Sequence, residues 1–181
     1  PNANGLVYSI DSGAGTVYLG GAFSTVAGSS AVPRLAAVNG TTGAVVAAFN
    51  PSPNNTIRGV VVFGTRLYAT GLFTTIDGQS RRNVAGVSTV DGSIQGGNFN
   101  STATGRGFAV DVSPDGASVY AALGDGANRV VAWNASTGAQ RWRRVAMGDV
   151  QAVRYHAGNV FFGFHEGYED DLTVRMLVAD A

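Results

Sequence analysis

The chain has no cysteine, no lysine and, in 181 residues, only two glutamates. Without cysteine there is no disulfide, no thiolate zinc ligand and no thiol nucleophile. Charge is scarce: 13% of residues are charged, and twelve Arg balance twelve Asp and Glu to a net charge of zero. No basic footprint for nucleic acid or an anionic membrane is present. An all-arginine basic set fits a high-GC genome that favours Arg, Ala, Gly and Val codons; the alternative is a use of arginine's bidentate geometry. No run of 18 apolar residues exists, so no membrane insertion is expected. The GxSxG, HExxH, P-loop and dinucleotide glycine signatures are all missing. No helical apolar periodicity persists, which removes any substantial helix.

What is present is glycine, at 26 residues, and apolar side chains, at 45% of the chain, with five prolines lying between apolar runs. A disordered chain would be more polar and more charged. Many short apolar runs separated by turn residues suit an all-β protein.

The chain also repeats itself. TVYLGGAFSTVAG (16 to 28) returns as RLYATGLFTTIDG (66 to 78). With an offset of about fifty residues, Val17-Tyr18 meets Leu67-Tyr68, Phe23 meets Phe73 and Gly28 meets Gly78. Further on, Leu35 to Val38 meets Val84 to Val87, and Phe49-Asn50 meets Phe99-Asn100. A looser third copy carries Arg106-Gly107 for Arg58-Gly59, Val119-Tyr120, and VVAWNASTG (130 to 138). A fourth begins with VQAVRYHAGNVFFGF (150 to 164), and LTVRMLVADA (172 to 181) corresponds to its middle.

Each unit holds four stretches with strand character. In the second they are 58–63, 66–72, 83–88 and 93–99, rich in Val, Ile, Leu, Tyr and Phe and bounded by Gly, Asn, Asp and Ser. SPDG (113 to 116) and HAGN (156 to 159) are expected as hairpin turns between first and second strands. STG (136 to 138) and TVDG (89 to 92) are expected to turn between third and fourth. Four strands every 40 to 50 residues is the pattern of a β-propeller blade. The expected fold is therefore a β-propeller of four-stranded antiparallel blades at about 5–50, 56–100, 105–143 and 149–181, the last incomplete. The repeated Gly would give tight packing or a positive-φ turn, and the repeated aromatic would fill the space between blades. Pro1 to Asn4 aligns with Pro51 to Asn54, and the last unit lacks its Thr-Gly turn and fourth strand. The expectation is a piece of a longer protein with further blades or domains, a closed four-bladed ring being the alternative.

VYLGGAFSTVAG and RLAAVNGTTGAV resemble the repeats of secreted β-propeller proteins of actinobacterial type. RVVAWNASTGAQRW, with its Thr-Gly turn and Trp142, is similar to quinoprotein-type repeats, and FAVDVSPDGASVYAA is similar to WD-like repeats. The resemblance covers the whole chain. It implies an extracellular or cell-surface bacterial domain, often used for binding, and fixes no activity.

Two groups of residues are candidate sites. Tyr8, Arg58, Arg106 and Gln151 align near the start of the innermost strand, which lines a propeller's channel. Two arginines there can clamp a carboxylate, such as a uronic acid or an acidic peptide; the alternative is solvation by channel water or pairing with Asp. HEGYEDD (165 to 171) contributes His165, Glu166, Glu169, Asp170 and Asp171, whose oxygens suit a hard cation such as Ca²⁺. Its spacing matches no EF-hand or zinc signature, and a solvated polar loop is the competing reading. Trp133 and Trp142 are expected to pack between blades, with sugar stacking as the alternative. Arg81-Arg82 is expected as a solvated loop pair and His156 as a turn residue.

These observations favour a non-catalytic binding module of a secreted or cell-surface bacterial protein, with a protein or glycan partner and no nucleic acid. The alternatives are part of a propeller enzyme, either a quinoprotein-like dehydrogenase or a polysaccharide-cleaving enzyme, or a structural subunit of a surface assembly.

Overall fold

In the computed structural model, residues 2–100, 102–165 and 175–181 are described. Among them the chain forms antiparallel sheets and no helix. The first sheet holds β1 (Val7–Gly13), β2 (Thr16–Gly21) and β3 (Leu35–Asn39) in that order. The second holds β4 (Ile57–Phe63), β5 (Arg66–Gly71) and β8 (Val84–Ser88), with a small hairpin, β6 (Thr75–Ile76) and β7 (Gln79–Ser80), set between the last two. The third holds β9 (Arg106–Val112), β10 (Ser118–Gly124), β11 (Arg129–Asn134) and β12 (Gln140–Val145). The fourth holds β13 (Val150–His156), β14 (Asn159–Phe164) and β15 (Met176–Asp180).

Local chemistry sets the turns. Ala14-Gly15, Asp77-Gly78 and Ala157-Gly158 each have both residues at positive φ, the geometry that matches the twist of a two-residue hairpin. The expected SPDG and HAGN hairpin turns fall between β9 and β10 and between β13 and β14. At the end of β3 the Asn39 Oδ1 accepts from the Thr41 and Thr42 amides, and at the end of β11 Asn134 does the same for Ser136 and Thr137. That is why an aliphatic strand ending in Asn is followed by a Thr-Gly turn. Asn4 and Asn54, paired by the sequence repeat, each hold a loop: Asn4 Oδ1 accepts from Ser24 and Thr25, Asn54 Oδ1 from Thr74 and Thr75.

The sheets stack in sequence order. Tyr18, Leu35 and Ala37 of the first meet Ile57, Leu67 and Ala85 of the second in one buried cluster. Tyr68 and Val84 of the second meet Val119, Val131 and Trp133 of the third. Tyr120, Val130 and Ala132 of the third meet Val153, Val160 and Phe162 of the fourth, with Trp142 packed against them. Both tryptophans thus lie between sheets, Trp133 Nε1 donating to Thr102 Oγ1 at 2.7 Å. The first strands run side by side along one edge: β1 beside β4, β4 beside β9, β9 beside β13. β13 and β1 do not pack together in this way.

An unpaired edge strand leaves its outward N–H groups without partners. Here carboxylates of the preceding sheet accept them. Asp11 Oδ2 takes the Val62 amide at 2.6 Å, while its Oδ1 takes Ser12 at 2.8 Å. Asp111 repeats both bonds, to Tyr155 at 2.7 Å and to Val112 at 2.9 Å. The clasp joins the first sheet to the second and the third to the fourth.

Two expectations change. The fourth strand expected at 93–99 is absent; only isolated bridges Val38 to Val45 and Val87 to Ile94 remain in the first two units. Gly96 sits at φ +88 and the Gly97 amide bonds to Ala135 O of the third sheet, so the segment leaves its own sheet. In the third unit the equivalent stretch pairs as β12, whereas the glycine-free stretch 44–49 of the first unit makes only the Val45 bridge. The stretch between the second and third strands of the second unit, where no strand is expected, forms the hairpin β6–β7.

The repeated glycines do two different jobs. A Cβ at Gly71 would run into the Thr56 carbonyl oxygen, whereas Gly78 has open space but lies at φ +66. Gly71→Ala should therefore cost about 1–3 kcal/mol through overpacking, and Gly78→Ala about 1–2 kcal/mol through backbone strain. Asp111→Ala, which leaves the part-buried Tyr155 amide without its acceptor, should cost about 1 kcal/mol. Urea denaturation of the three variants checks the values.

Candidate functional site

The register of each first strand slips by one residue near its start. In β1 the slip falls between Val7 and Ser9, in β4 between Ile57 and Gly59, and in β13 between Val150 and Ala152. In β9 it falls opposite Ala122 and Leu123, which pair with Ala109 and Gly107. The extra residue is Tyr8, Arg58, Phe108 or Gln151. A bulge re-aims the side chain it carries, and here four successive sheets place a bulged residue at one level of the shared edge.

Three of the four expected channel residues, Tyr8, Arg58 and Gln151, occupy these bulges. Arg106 does not. It pairs with Gly124 at the first position of β9, and its Nε meets Asp125 Oδ2 at 2.9 Å. Phe108 takes the bulge instead. Tyr8, Arg58 and Gln151 each precede the aromatic of the following strand, Tyr18, Tyr68 and Phe161, by ten residues. The longer SPDG hairpin adds two in the third unit, so counting back from Tyr120 lands on Phe108. Matching Arg-Gly to Arg-Gly hides that.

The Arg58 guanidinium lies between two rings, 4.7 Å from the Phe108 centroid and 5.4 Å from that of Tyr8. Cations over aromatic faces gain about 0.5–2 kcal/mol, more as water is excluded. Arg58 Nε is buried without a hydrogen-bond partner. Among the described residues the Arg58 side chain makes no hydrogen bond or ion pair. Gly124 makes the arrangement possible: a Cβ there would come within 2.6 Å of Phe108 Cε2 and of the Asp149 carboxyl carbon. The guanidinium thus keeps two aromatic contacts while its hydrogen-bonding capacity is unmet by the described residues. A carboxylate is the natural match.

The second candidate lies mostly elsewhere. Glu166, Glu169, Asp170 and Asp171 fall outside the described residues. His165, exposed just after β14, donates its backbone amide to Asp149 O at 3.1 Å. No group of three or more His, Asp or Glu suited to a metal occurs among the described residues. Arg81 donates to Ser80 O, Arg82 is exposed, and His156 closes β13 beside its turn.

The sequence matches no protein-family model and no curated protein. Two computationally designed proteins share its fold. The crystal structure of the designed Ika4 protein aligns at TM-score 0.69 and 12% identity, over 99% of this chain and 93% of its own. The designed Ika8 protein aligns at TM-score 0.65 and 13% identity, over 97% of this chain and 46% of its own.

Arg58→Ala removes a cation in contact with two rings and should lower stability by about 1 kcal/mol. Arg106→Ala breaks a half-exposed ion pair and should change it by less than about 0.5 kcal/mol. Paired thermal melts read the difference.

Proposed function

We propose that the four sheets are blades of a β-propeller and that the bulged residues face its axis. In this reading the chain is a non-catalytic binding module of a secreted or cell-surface bacterial protein. Its ligand is a carboxylate-bearing partner, either a uronic-acid glycan or an acidic peptide segment. Serial stacking of like sheets with their first strands together along one edge supports the architecture.

Arg58 carries the ligand reading. A half-buried guanidinium held between Phe108 and Tyr8, with no acceptor of its own among the described residues, suits an acceptor brought by a partner. Arg106 is a poorer candidate, because Asp125 already neutralises it. The pairing of a positive fork with flanking rings favours a sugar acid or a Glu or Asp side chain over a neutral sugar.

Titration of the protein with oligogalacturonate, its methyl ester and poly-glutamate, followed by backbone NMR, tests this. An acidic ligand should shift the Gly59 and Ala109 amides, and the neutral ester should not. Arg58→Gln should weaken binding about tenfold or more, the loss expected for a charged hydrogen-bond pair, while Arg106→Gln changes it little. Equal binding of ester and acid, or unchanged affinity in Arg58→Gln, would contradict the proposal.

A further inference from the structure

The second unit departs from the repeat at the hairpin end of its sheet, the end of β4 away from the bulge. Two residues before the repeated ring, the other sheets carry short polar side chains, Thr16, Ser118 and Asn159, and the second carries Arg66. Opposite Tyr18 and Tyr120 the next strand places alanine, and opposite Tyr68 it places Gly86. A Cβ at Gly86 would stand 2.5 Å from Gln95 O, 3.1 Å from Tyr68 Cε1 and 3.3 Å from Arg66 Cδ. One at Gly96 would stand 3.3 Å from Arg66 Nη1. The two glycines let the backbone at 95–96 and the arginine share one place beside Tyr68.

So placed, the arginine has more donors than acceptors. Its Nη1 donates to the Tyr68 hydroxyl at 2.9 Å. Among the described residues it makes no other hydrogen bond and no ion pair, and its Nε is buried without a partner. Tyr68 is left with an unused proton. Between the first and second sheets Tyr18 donates its hydroxyl to Thr89 O at 3.0 Å, but the Tyr68 hydroxyl has no acceptor among the described residues.

Both groups line a cavity of about 270 Å³ between the second and third sheets, at the small end of the range for ligand pockets. Its walls also include Phe63, Asp115 and Gly116. The exposed Phe63 ring lies against Gly116, where a Cβ would run into it. Asp115 is oriented through one oxygen, Oδ1, which accepts from Ser113 Oγ at 2.6 Å and from the Ala117 amide at 3.0 Å. The Ser113 hydroxyl and then the Ala117 amide hold its carboxyl below the usual range, so it is ionised at neutral pH. Its Oδ2 has no partner among the described residues. Arg66 and Asp115 thus line one cavity with opposite charges and form no ion pair with each other.

We propose that this cavity binds a small zwitterion, an amino acid with an apolar or aromatic side chain. The Arg66 guanidinium and the Tyr68 hydroxyl receive its carboxylate, the free oxygen of Asp115 receives its ammonium, and the Phe63 ring packs against its side chain. A simple anion is repelled by Asp115 and a simple cation by Arg66, so the two walls select a ligand carrying both charges. The site lies wholly between the second and third sheets and does not rest on the reading of Arg58.

Titration of the whole chain with L-phenylalanine, N-acetyl-L-phenylalanine and L-phenylalanine amide, followed at the Gly64 and Gly116 amides by NMR, tests it. The free amino acid should shift both amides. Each blocked form should bind about tenfold or more weakly, the loss expected for one charged hydrogen-bond pair. Arg66→Gln and Asp115→Asn should each weaken L-phenylalanine to a similar degree, while Arg58→Gln binds it like the parent. Asp115→Asn keeps the Oδ1 acceptor of its turn, and it carries the test alone if Arg66→Gln does not melt cooperatively. No shift at millimolar L-phenylalanine overturns the proposal, since the cavity then holds water only. So does equal binding of either blocked form, or unchanged affinity in Asp115→Asn.

Discussion

No sheet in this protein can bury its own apolar side chains. Three or four short strands offer two apolar faces, and only neighbouring sheets can remove both from water. Everything else follows from that dependence. The repeated Tyr, Leu and Val positions exist to fill the spaces between sheets. The repeated glycines exist because close approach or a tight turn leaves no alternative. The clasps of Asp11 and Asp111 exist because stacking brings an unpaired strand edge against a neighbour, where its amides need acceptors.

The same edge explains how side chains far apart in the sequence come to one place. One slip in register per sheet turns a side chain out of the alternation and toward the common edge. Four such slips bring a tyrosine, an arginine, a phenylalanine and a glutamine to one level from positions spread over most of the chain. The arginine then gains cation–π contact with two rings and makes no hydrogen bond among the described residues. Architecture supplies the positions, and the identity of four bulged residues supplies the chemistry.

Much of the fold is legible in the repeat. Turn residues, strand pairs and the inter-sheet placement of Trp133 and Trp142 follow from local rules of turn chemistry and apolar alternation. The missing fourth strand of the second unit does not, because Ile94 and its neighbours carry strand-like residues while Gly96 and Gly97 divert the backbone to the next sheet. The site is half legible. Tyr8, Arg58 and Gln151 sit where the alignment puts them, but Arg106 imitates the Arg-Gly pair two residues too early. A bulge is a matter of register between strands, and hairpin length shifts it without leaving a mark in the residue types.

The central physical claim is that neighbouring sheets complete each other's edges. Hydrogen exchange at the Val62 and Tyr155 amides tests it most directly, since both lie on first strands and point away from their own sheets. Both amides should exchange as slowly as amides within the ladders, and in Asp11→Ala the Val62 amide should exchange much faster while Tyr155 stays protected. Exchange at the rate of an unstructured amide at both positions, in a protein otherwise folded, would contradict the claim.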